Sequence, residues 1–352
     1  MNKKSFDDIY YNGAKLLSMK DSRGEDPEIY LCTSNRTAGK TTYFNRKLIN
    51  GHKKHGRKFV IIYRYMGELD DCASKFFKDI GGLFFPGDVF TSKARAKGAY
   101  HELYLNDKEC GYALALNAAD KIKRYSHLFS DVDEMLFDEF QSESNEYCPD
   151  EIRKFRSVHT SVARGQGKMV RRVPVYMISN PVSIINPYYV AMGISDRLTS
   201  HVRFLRGPGY VLEQGRNDAA TAAQKQSAFN LAFEGEQDSY GAYTSEGIYL
   251  NDNMAFIAKP VGIGRYICTL RYQDHDYSLK EFADQGIIYC DDRADSSFPT
   301  RISVTTEDHR VNYVMLRRND LFLSHMRHLF QRGAFRFKNL RCKEAVLRAL
   351  TF

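Results

Sequence analysis

The chain has 352 residues, a formal net charge of +8, an apolar fraction of 43% and no tryptophan. That length accommodates one large domain or two ordinary ones with a sizeable core, and the positive balance suits an anionic partner such as nucleic acid. No apolar run is long enough to span a bilayer, the opening MNKKSFDDIYYNG lacks the apolar stretch of a signal peptide, and seven scattered cysteines without a C-x-x-C pair point to reduced thiols rather than a disulfide framework.

Residues 1–27 are polar apart from Ala14-Lys15-Leu16-Leu17. They read as a surface lead-in; the alternative is that they cover a bound base, with Tyr10 or Tyr11 stacked on it. The apolar run Ile29-Tyr30-Leu31-Cys32 then leads into Ser34-Asn35-Arg36-Thr37-Ala38-Gly39-Lys40-Thr41, with a helix predicted from Thr42 to Asn50. Strand, glycine-containing loop, Gly-Lys-Thr and helix is the order of a phosphate-binding P-loop. Backbone N–H groups of such a loop and its helix converge on phosphate oxygens. Lys40 adds a point charge, and the Thr41 hydroxyl can ligate Mg²⁺. The phosphate-binding set is therefore Ser34, Asn35, Arg36, Thr37, Ala38, Gly39, Lys40, Thr41 and the adjoining Thr42. Two features depart from the common motif: Ser34 stands where its first glycine falls, and Arg36 lies inside the loop.

The helix is expected to end near Gly51, and the basic run from His52 to Lys58 reads as a solvated turn. Phe59-Val60-Ile61-Ile62-Tyr63 is continuously β-branched and aromatic, as in a strand buried on both faces of a parallel sheet. A helix from Ser74 to Ile80 is expected to break at Gly81-Gly82. Two strand-like runs between Tyr100 and Leu116 flank Asn106-Asp107, which predicts a hairpin inserted before the next sheet strand. In Met135-Leu136-Phe137-Asp138-Glu139-Phe140 an apolar strand runs straight into two carboxylates. Ligand sites of open α/β sheets form at that carboxyl edge. Asp138 would hold Mg²⁺, directly or through water, and Glu139 would polarise the attacking water, the division of labour of a Walker B strand. Pro149-Asp150 starts a further helix, after which the glycine-rich loop Ser161–Gly167 carries Arg164. Val173–Ile178 is another buried strand and ends in Ser179-Asn180, a polar pair suited to sensing a γ-phosphate. P-loop and Walker B together imply an α/β protein that hydrolyses ATP with Mg²⁺.

Residues 201–245 read as a linker subdomain, with a turn at Gly207-Pro208-Gly209-Tyr210 and a helix from Asp218 to Phe233. Beyond Gly247, the runs Ile248–Leu250, Met254–Ile257, Tyr266–Leu270 and Ile287–Cys290 predict an antiparallel sheet. Leu321–Phe330 and Lys343–Leu350 are expected to be helices. The last segment sets Arg327, Arg332, Arg336, Lys338, Arg341, Lys343 and Arg348 against a single acid, Glu344. Arg336, Lys338 and Arg341 are the residues selected for contact with a phosphate backbone, and a solvated surface is the equal alternative. Asp291-Asp292 is the best carboxylate pair for a metal-dependent nuclease, an activity not expected to be retained.

Four stretches carry a resemblance. They are the Arg-containing loop Ser34–Thr41, Phe59–Tyr65 followed by Gly67-Glu68-Leu69, Leu136–Phe140, and Ser179-Asn180-Pro181-Val182-Ser183-Ile184-Ile185-Asn186-Pro187-Tyr188. On them the chain resembles the DNA-packaging ATPases, or encapsidation proteins, of phi-29-like podophages, relatives of terminase large subunits. The likeness covers residues 1–200 well and the remainder loosely. It implies a P-loop NTPase domain of the additional-strand, catalytic-glutamate type with a mostly parallel sheet over 1–200 and a linker over 201–245. Over 246–352 it implies a smaller α+β domain similar to a ribonuclease-H-like nuclease that has lost its active site. ATP and Mg²⁺ are the implied cofactors. The implied partners are double-stranded DNA, the procapsid portal, further copies in a homopentameric ring and, in some members, a structural packaging RNA; no membrane is expected. The implied place is the host cytoplasm, transiently on the procapsid and not in the mature virion. The resemblance also puts the family's trans-acting arginine at Arg164. A lysine that the family can carry after the second strand is Met66 here, so no DNA role is transferred to it. Two alternatives stay open: a terminase-type protein that also cleaves DNA, and a nucleotide-gated nucleic-acid-binding switch, against which a catalytic Glu139 argues.

Overall fold

The computed structural model describes residues 10–144, 146–165, 167, 169–195, 197–198, 202–215, 217–228, 256–315 and 320–351. The chain divides into two compact units, with the boundary between Asn251 and Asp252.

The first unit contains α1 (Ala14–Ser18), β1 (Ile29–Thr33), α2 (Lys40–His55), β2 (Lys58–Tyr63), α3 (Cys72–Phe84), β3 (Phe90–Arg95), β4 (Tyr100–Leu105), β5 (Lys108–Ala115), α4 (Ala119–Ile122), β6 (Val132–Asp138), α5 (Glu151–Val162), β7 (Val175–Ser179), α6 (Pro187–Ala191), β8 (Phe204–Gly207), β9 (Tyr210–Gln214) and α7 (Asp218–Lys225). The strands form one sheet in the order β3-β4-β5-β2-β6-β7-β1-β9-β8. Its centre, β5 through β9, is parallel, and the antiparallel strands β3, β4 and β8 lie at the edges. β7 stands between the P-loop strand β1 and the acid-bearing strand β6, which is the additional strand of the expected class. The central strands are buried along nearly their whole length, as their unbroken apolar runs require of a sheet covered on both faces.

Four sequence expectations are corrected. Helix α2 passes through Gly51 and ends at Gly56, whose φ of 67° lets it cap the helix with its N–H on the His52 carbonyl. The basic residues 52–55 are thus its last turn, where cations complement the helix dipole. Helix α3 continues through Gly81-Gly82 to Phe84 because Phe76, Phe77 and Ile80 are buried. That burial, about 1.5–3 kcal/mol per large side chain, exceeds the roughly 1 kcal/mol that each glycine costs. The hairpin is no insertion: β5 pairs in parallel with β2, so β3, β4 and β5 extend the sheet itself. The sheet also runs past the expected boundary at residue 200, since β9 pairs with β1 and the turn at 207–210 joins β8 to β9.

Gly111 shows how tightly β5 meets β2. It has φ 155°, and a Cβ there would stand 1.9 Å from the Phe59 carbonyl oxygen. Gly111→Ala is expected to destabilise this unit by more than about 3 kcal/mol, because the obstacle is backbone and cannot rotate away. Urea unfolding checks this; an unchanged midpoint would mean that the strands separate at no cost.

The second unit contains β10 (Arg265–Tyr272), β11 (His275–Phe282), β12 (Ile287–Asp291), β13 (Arg301–Ser303), α8 (Leu321–Gln331), β14 (Phe335–Phe337) and α9 (Leu340–Thr351). Its sheet, in the order β13-β10-β11-β12-β14, is mixed rather than antiparallel: the β10-β11-β12 meander is flanked by β13 and β14, each parallel to its neighbour. Short runs of three residues at β13 and β14 carry too little pattern to show direction. Cys268, Leu270, Phe335, Phe337, Cys342 and Val346 form the heart of its core. The strand-like run at 248–250, residues 254 and 255 of the next, residues 229–233 of the expected helix and 229–245 of the linker lie outside the described residues. All seven cysteines are buried free thiols.

Candidate active site

The P-loop occupies the carboxyl edge of the sheet. Ser34 N–H donates to the Ser179 carbonyl at 3.4 Å, joining the loop to β7. Thr37 has φ 59° and Gly39 φ 93°, so the chain turns through left-handed conformations on its way into α2. Gly39 is required there, since Tyr10 lies against it and any Cβ would stand 3.0 Å from the Tyr10 Cβ. Tyr11 is committed to the core rather than to a base: its N–H donates to the Ala38 carbonyl at 2.7 Å and its hydroxyl to Glu213 at 2.9 Å. Lys40 is buried, and its ammonium donates to the Ser34 carbonyl at 3.2 Å and to Asn180 Oδ1 at 2.8 Å. Burial pulls its pKa below the ordinary lysine value. Arg36 pairs with Glu143, which also accepts from Asn180 Nδ2 at 3.4 Å.

Strand β6 delivers Asp138 to the same edge, where it lines one cavity with Thr41. Burial first, and then the charge of Glu139, push the Asp138 carboxyl up to about 6. Glu139 is exposed and takes φ 54°, a left-handed conformation uncommon for a side chain of its size; its N–H donates to Asp138 Oδ1 at 2.8 Å. Two cavities adjoin it, one of about 390 Å³ lined by Arg36, Glu143 and Asn180, the other of about 410 Å³ lined by Thr41 and Asp138. Lys40, Thr41, Asp138, Glu139 and Asn180 are thus brought together, as their order along the strands predicts.

Sequence reading missed the fastenings around this site. Asn35 points its amide away from the loop, donating to the Asn217 carbonyl at 3.1 Å and to Thr221 at 3.3 Å, and accepting from Asn217 N–H at 3.0 Å. It ties the P-loop to α7. Gln141 Oε1 accepts from Val182 and Ser183 N–H at 3.1 and 2.9 Å, joining the loop after β6 to the segment after β7. Arg64, just past β2, donates through Nε to both oxygens of Glu151 at 3.1 and 3.0 Å. The pair is buried, so removing one partner would cost about 3–5 kcal/mol. The Asn-Pro-Tyr motif is a built helix start: Asn186 caps α6 by accepting from Tyr189 N–H, and Pro187 follows at the first helical position. The only sequence signal for these contacts is a polar residue next to a buried run, too common to select Arg64 or Gln141.

Arg164 lies elsewhere. Helix α5 begins at Glu151, beside the active site, and ends where His159 meets the Val173 carbonyl and Arg171 donates to the carbonyls of Val132 and Val162. These are the starts of β7 and β6, so Arg164 is exposed at the amino edge of the sheet, at the far end of α5 from Lys40. In the second unit the selected basic residues have internal partners. Arg336 donates to the carbonyls of Gly333 and Phe335, Lys338 pairs with Asp292 and with Asp291 at 3.3 Å, and Arg341 adjoins Tyr277. The expected excess of positive charge is therefore reduced by acids that come from β12, far away in sequence.

A parallel sheet with one strand between the P-loop strand and an Asp-Glu strand defines a P-loop NTPase fold of the additional-strand class. The chain belongs to the family of podovirus DNA encapsidation proteins (Gp16), whose model matches residues 4–350. It is similar to the DNA packaging protein of Bacillus phage phi29, with 24% identity over 335 residues and 94% of each chain covered. The DNA packaging protein of Bacillus phage B103 is 25% identical over 311 residues, covering 86% of this chain and 90% of that one. Among solved structures, the bacteriophage Phi-29 viral genome packaging motor assembly aligns with a TM-score of 0.67 at 23% identity, over 97% of this chain and 96% of that one. The Phi-28 gp11 DNA packaging motor aligns at 0.60 with 16% identity, over 97% and 98%.

Proposed function

We propose that the protein hydrolyses ATP with Mg²⁺ and uses the energy to drive double-stranded DNA into a procapsid, acting in a homo-oligomeric ring, five-membered by its resemblance, on the portal. The carrying observation is the convergence of Lys40, Thr41, Asp138, Glu139 and Asn180 on one sheet edge in a member of the encapsidation family. The donor set fits a nucleoside triphosphate: a left-handed glycine at the start of a long helix, a buried ammonium, and a hydroxyl that lines one cavity with a carboxylate. Thr41 and Asp138 would hold Mg²⁺, which when bound neutralises charge on the β- and γ-phosphate oxygens. Lys40 exchanges its carbonyl and amide partners for phosphate oxygens. Asn180, released from Lys40, is then free to register the γ-phosphate. Glu139, exposed beside the cavity, orients a water and takes its proton. Arg164 serves the site of a neighbouring copy.

The second unit is read as a nucleic-acid contact, to DNA or to a packaging RNA, without cleavage. Its first described strand, Arg265–Tyr272, contains no carboxylate, and Asp291 and Asp292 are paired with Lys280 and Lys338. The protein would act on procapsids in the host cytoplasm and be absent from the finished virion. The test is to incubate full-length protein with procapsids, linear genomic DNA and ATP, with and without packaging RNA. ATP-dependent protection of DNA from added nuclease is expected. Hydrolysis without protection would favour the switch, and cutting of the DNA in Mn²⁺ would favour the terminase.

A further inference from the structure

The edge hairpin of the first unit, β3 and β4, has one face against the core and one in water. Phe90 packs on Phe76 and Phe77 of α3, with ring centroids 5.2 Å apart in both pairs. Alternate strand residues share a face, so Lys93 and Arg95 lie on the other side, with Thr91. Lys97 stands exposed in the turn that follows. Residues 90–105 thus hold three cations against one acid, Glu102. Glu102 is directly opposite Lys93 and accepts from Arg95 Nε at 2.8 Å and from Tyr104 Oη at 2.7 Å. The hydrogen bond from Arg95, foremost, holds its carboxyl below the ordinary value. Lys93 lies over the Tyr104 ring at 4.5 Å. Glu109 of β5, opposite Tyr104, is paired with Lys58. Arg95 keeps 46% of its side chain exposed, so its pairing with Glu102 contributes little, and Lys97 pairs with no acid among the described residues. The turn is firmly built. Ala96, Lys97 and Gly98 take φ of 51°, 57° and 77°, all left-handed, and the chain is then anchored by buried Ala99, whose N–H donates to the Arg95 carbonyl at 3.1 Å. Tyr100 pairs with Leu114 and Ala115 with Tyr63, which puts the turn at the carboxyl edge of the sheet, the edge of Lys40 and Glu139. A Cβ on Gly98 would stand 3.9 Å from the Met66 methyl, and Glu68, two residues on from Met66, lines both cavities beside Glu139.

We propose that the outer face of the β3–β4 hairpin is a contact surface for the phosphate backbone of double-stranded DNA, made by Lys93, Arg95 and Lys97. The inference rests on the reading of the protein as an ATPase that moves DNA, and it names a surface for that DNA on the first unit. Residues i and i+2 of a strand lie about 6.8 Å apart. Successive nucleotides of one DNA strand rise about 3.4 Å each, so Lys93 and Arg95 keep step with alternate phosphates. Cations on phosphates position a duplex without reading its bases, which suits a protein that must pass any sequence. A turn already fixed by its own backbone has little order left to gain on binding. Its place also matters: the segment Met66–Glu68 runs from the turn to the cavities beside Glu139, so a change at the nucleotide edge has a short path to the hairpin.

The test uses the full-length chain and measures its affinity for a short fluorescent DNA duplex across a salt series, with two unrelated sequences and a duplex RNA of equal length. Each phosphate contact contributes about 0.9 to the slope of log affinity against log salt. Changing Lys93, Arg95 and Lys97 together to Gln is expected to flatten that slope by about 2.7 and to weaken binding at least about tenfold, equally for both DNA sequences. Hydrolysis of ATP without DNA should be unchanged, since none of the three lies at the nucleotide site. Should the triple variant fail to fold, Lys97→Gln alone leaves the Arg95–Glu102 pair intact and is expected to flatten the slope by about 0.9. A native slope in the variants overturns the proposal. So does a loss confined to one DNA sequence, or one confined to RNA. Aggregation with native DNA affinity also overturns it, because the cations would then serve only to keep an edge strand from pairing with another chain. Native protein that binds no DNA duplex and protects none with procapsids and ATP would instead remove the reading of the protein as a DNA-moving ATPase, and this inference with it.

Discussion

Glu139→Gln is expected to bind ATP almost as the native protein does and to hydrolyse it 10²–10⁴ times more slowly, the usual contribution, to order of magnitude, of a positioned general base. The substitution keeps the volume and the backbone contact of Glu139 N–H to Asp138, and it leaves Lys40, Thr41 and Asn180 in place. What it removes is a carboxylate able to take a proton. Lys40→Ala should fail earlier, at binding, because a buried cation facing the phosphate loop is deleted. The two variants therefore separate capture from chemistry. Phosphate release and the affinity of a fluorescent nucleotide measure each, with circular dichroism to verify folding. Equal binding defects in both would mean that Glu139 serves the phosphates or their cation instead of the water.

Mixing Lys40→Ala with Arg164→Ala, each inactive alone, is expected to restore part of the hydrolysis. A guanidinium supplied by a neighbour is worth roughly 10³–10⁵ in rate for nucleotide hydrolysis. Arg164 cannot supply it to its own subunit, because α5, of 12 residues, separates it from Glu151 by about 18 Å along its axis. Of the nearby arginines, Arg171 is buried against carbonyls and Arg153 is paired with Asp150, which leaves the exposed Arg156 as the rival. In a mixed ring the Lys40→Ala copy would lend Arg164 to the intact P-loop of an Arg164→Ala copy. Mixed assemblies verified by mass that show no recovery would reject the trans assignment, as would a fully active Arg164→Ala. Recovery that requires procapsids would add that the ring forms only on the portal.

The chemistry of the phosphate edge was legible because it is local. A P-loop needs consecutive residues to aim consecutive N–H groups, and a Walker B strand needs its carboxylates directly after an apolar run. Lys40, Thr41, Asp138 and Glu139 therefore declare themselves at short range. Buried central strands were legible for the same reason, since a sheet covered on both faces asks for unbroken apolar runs. Helix ends were read poorly at Gly51 and Gly81-Gly82, where tertiary burial outweighs the cost of a glycine. The hairpin was found, yet its membership of the sheet was not, because pairing of β5 with β2 joins residues about fifty positions apart. The partners of the basic C-terminal face were illegible for the same reason: the acids that pair with Lys338 lie at the end of β12 and just past it.

By itself, then, the sequence determined the nucleotide-hydrolysing class, the edge of the sheet that carries the candidate site, and the four residues gathered there, since each rests on spacing within a few positions. Only the tertiary structure decided that Asn35 ties the P-loop to α7, that Arg64 and Glu151 grip the loop bearing Glu139, and that α5 carries Arg164 away from its own site. Those contacts span 182, 75 and 87 positions for the Asn35–Asn217, Arg64–Glu139 and Arg64–Glu151 pairs. Hydrogen bonds of that range depend on how strands are ordered across the sheet, and strand order leaves no mark on the residues that make them.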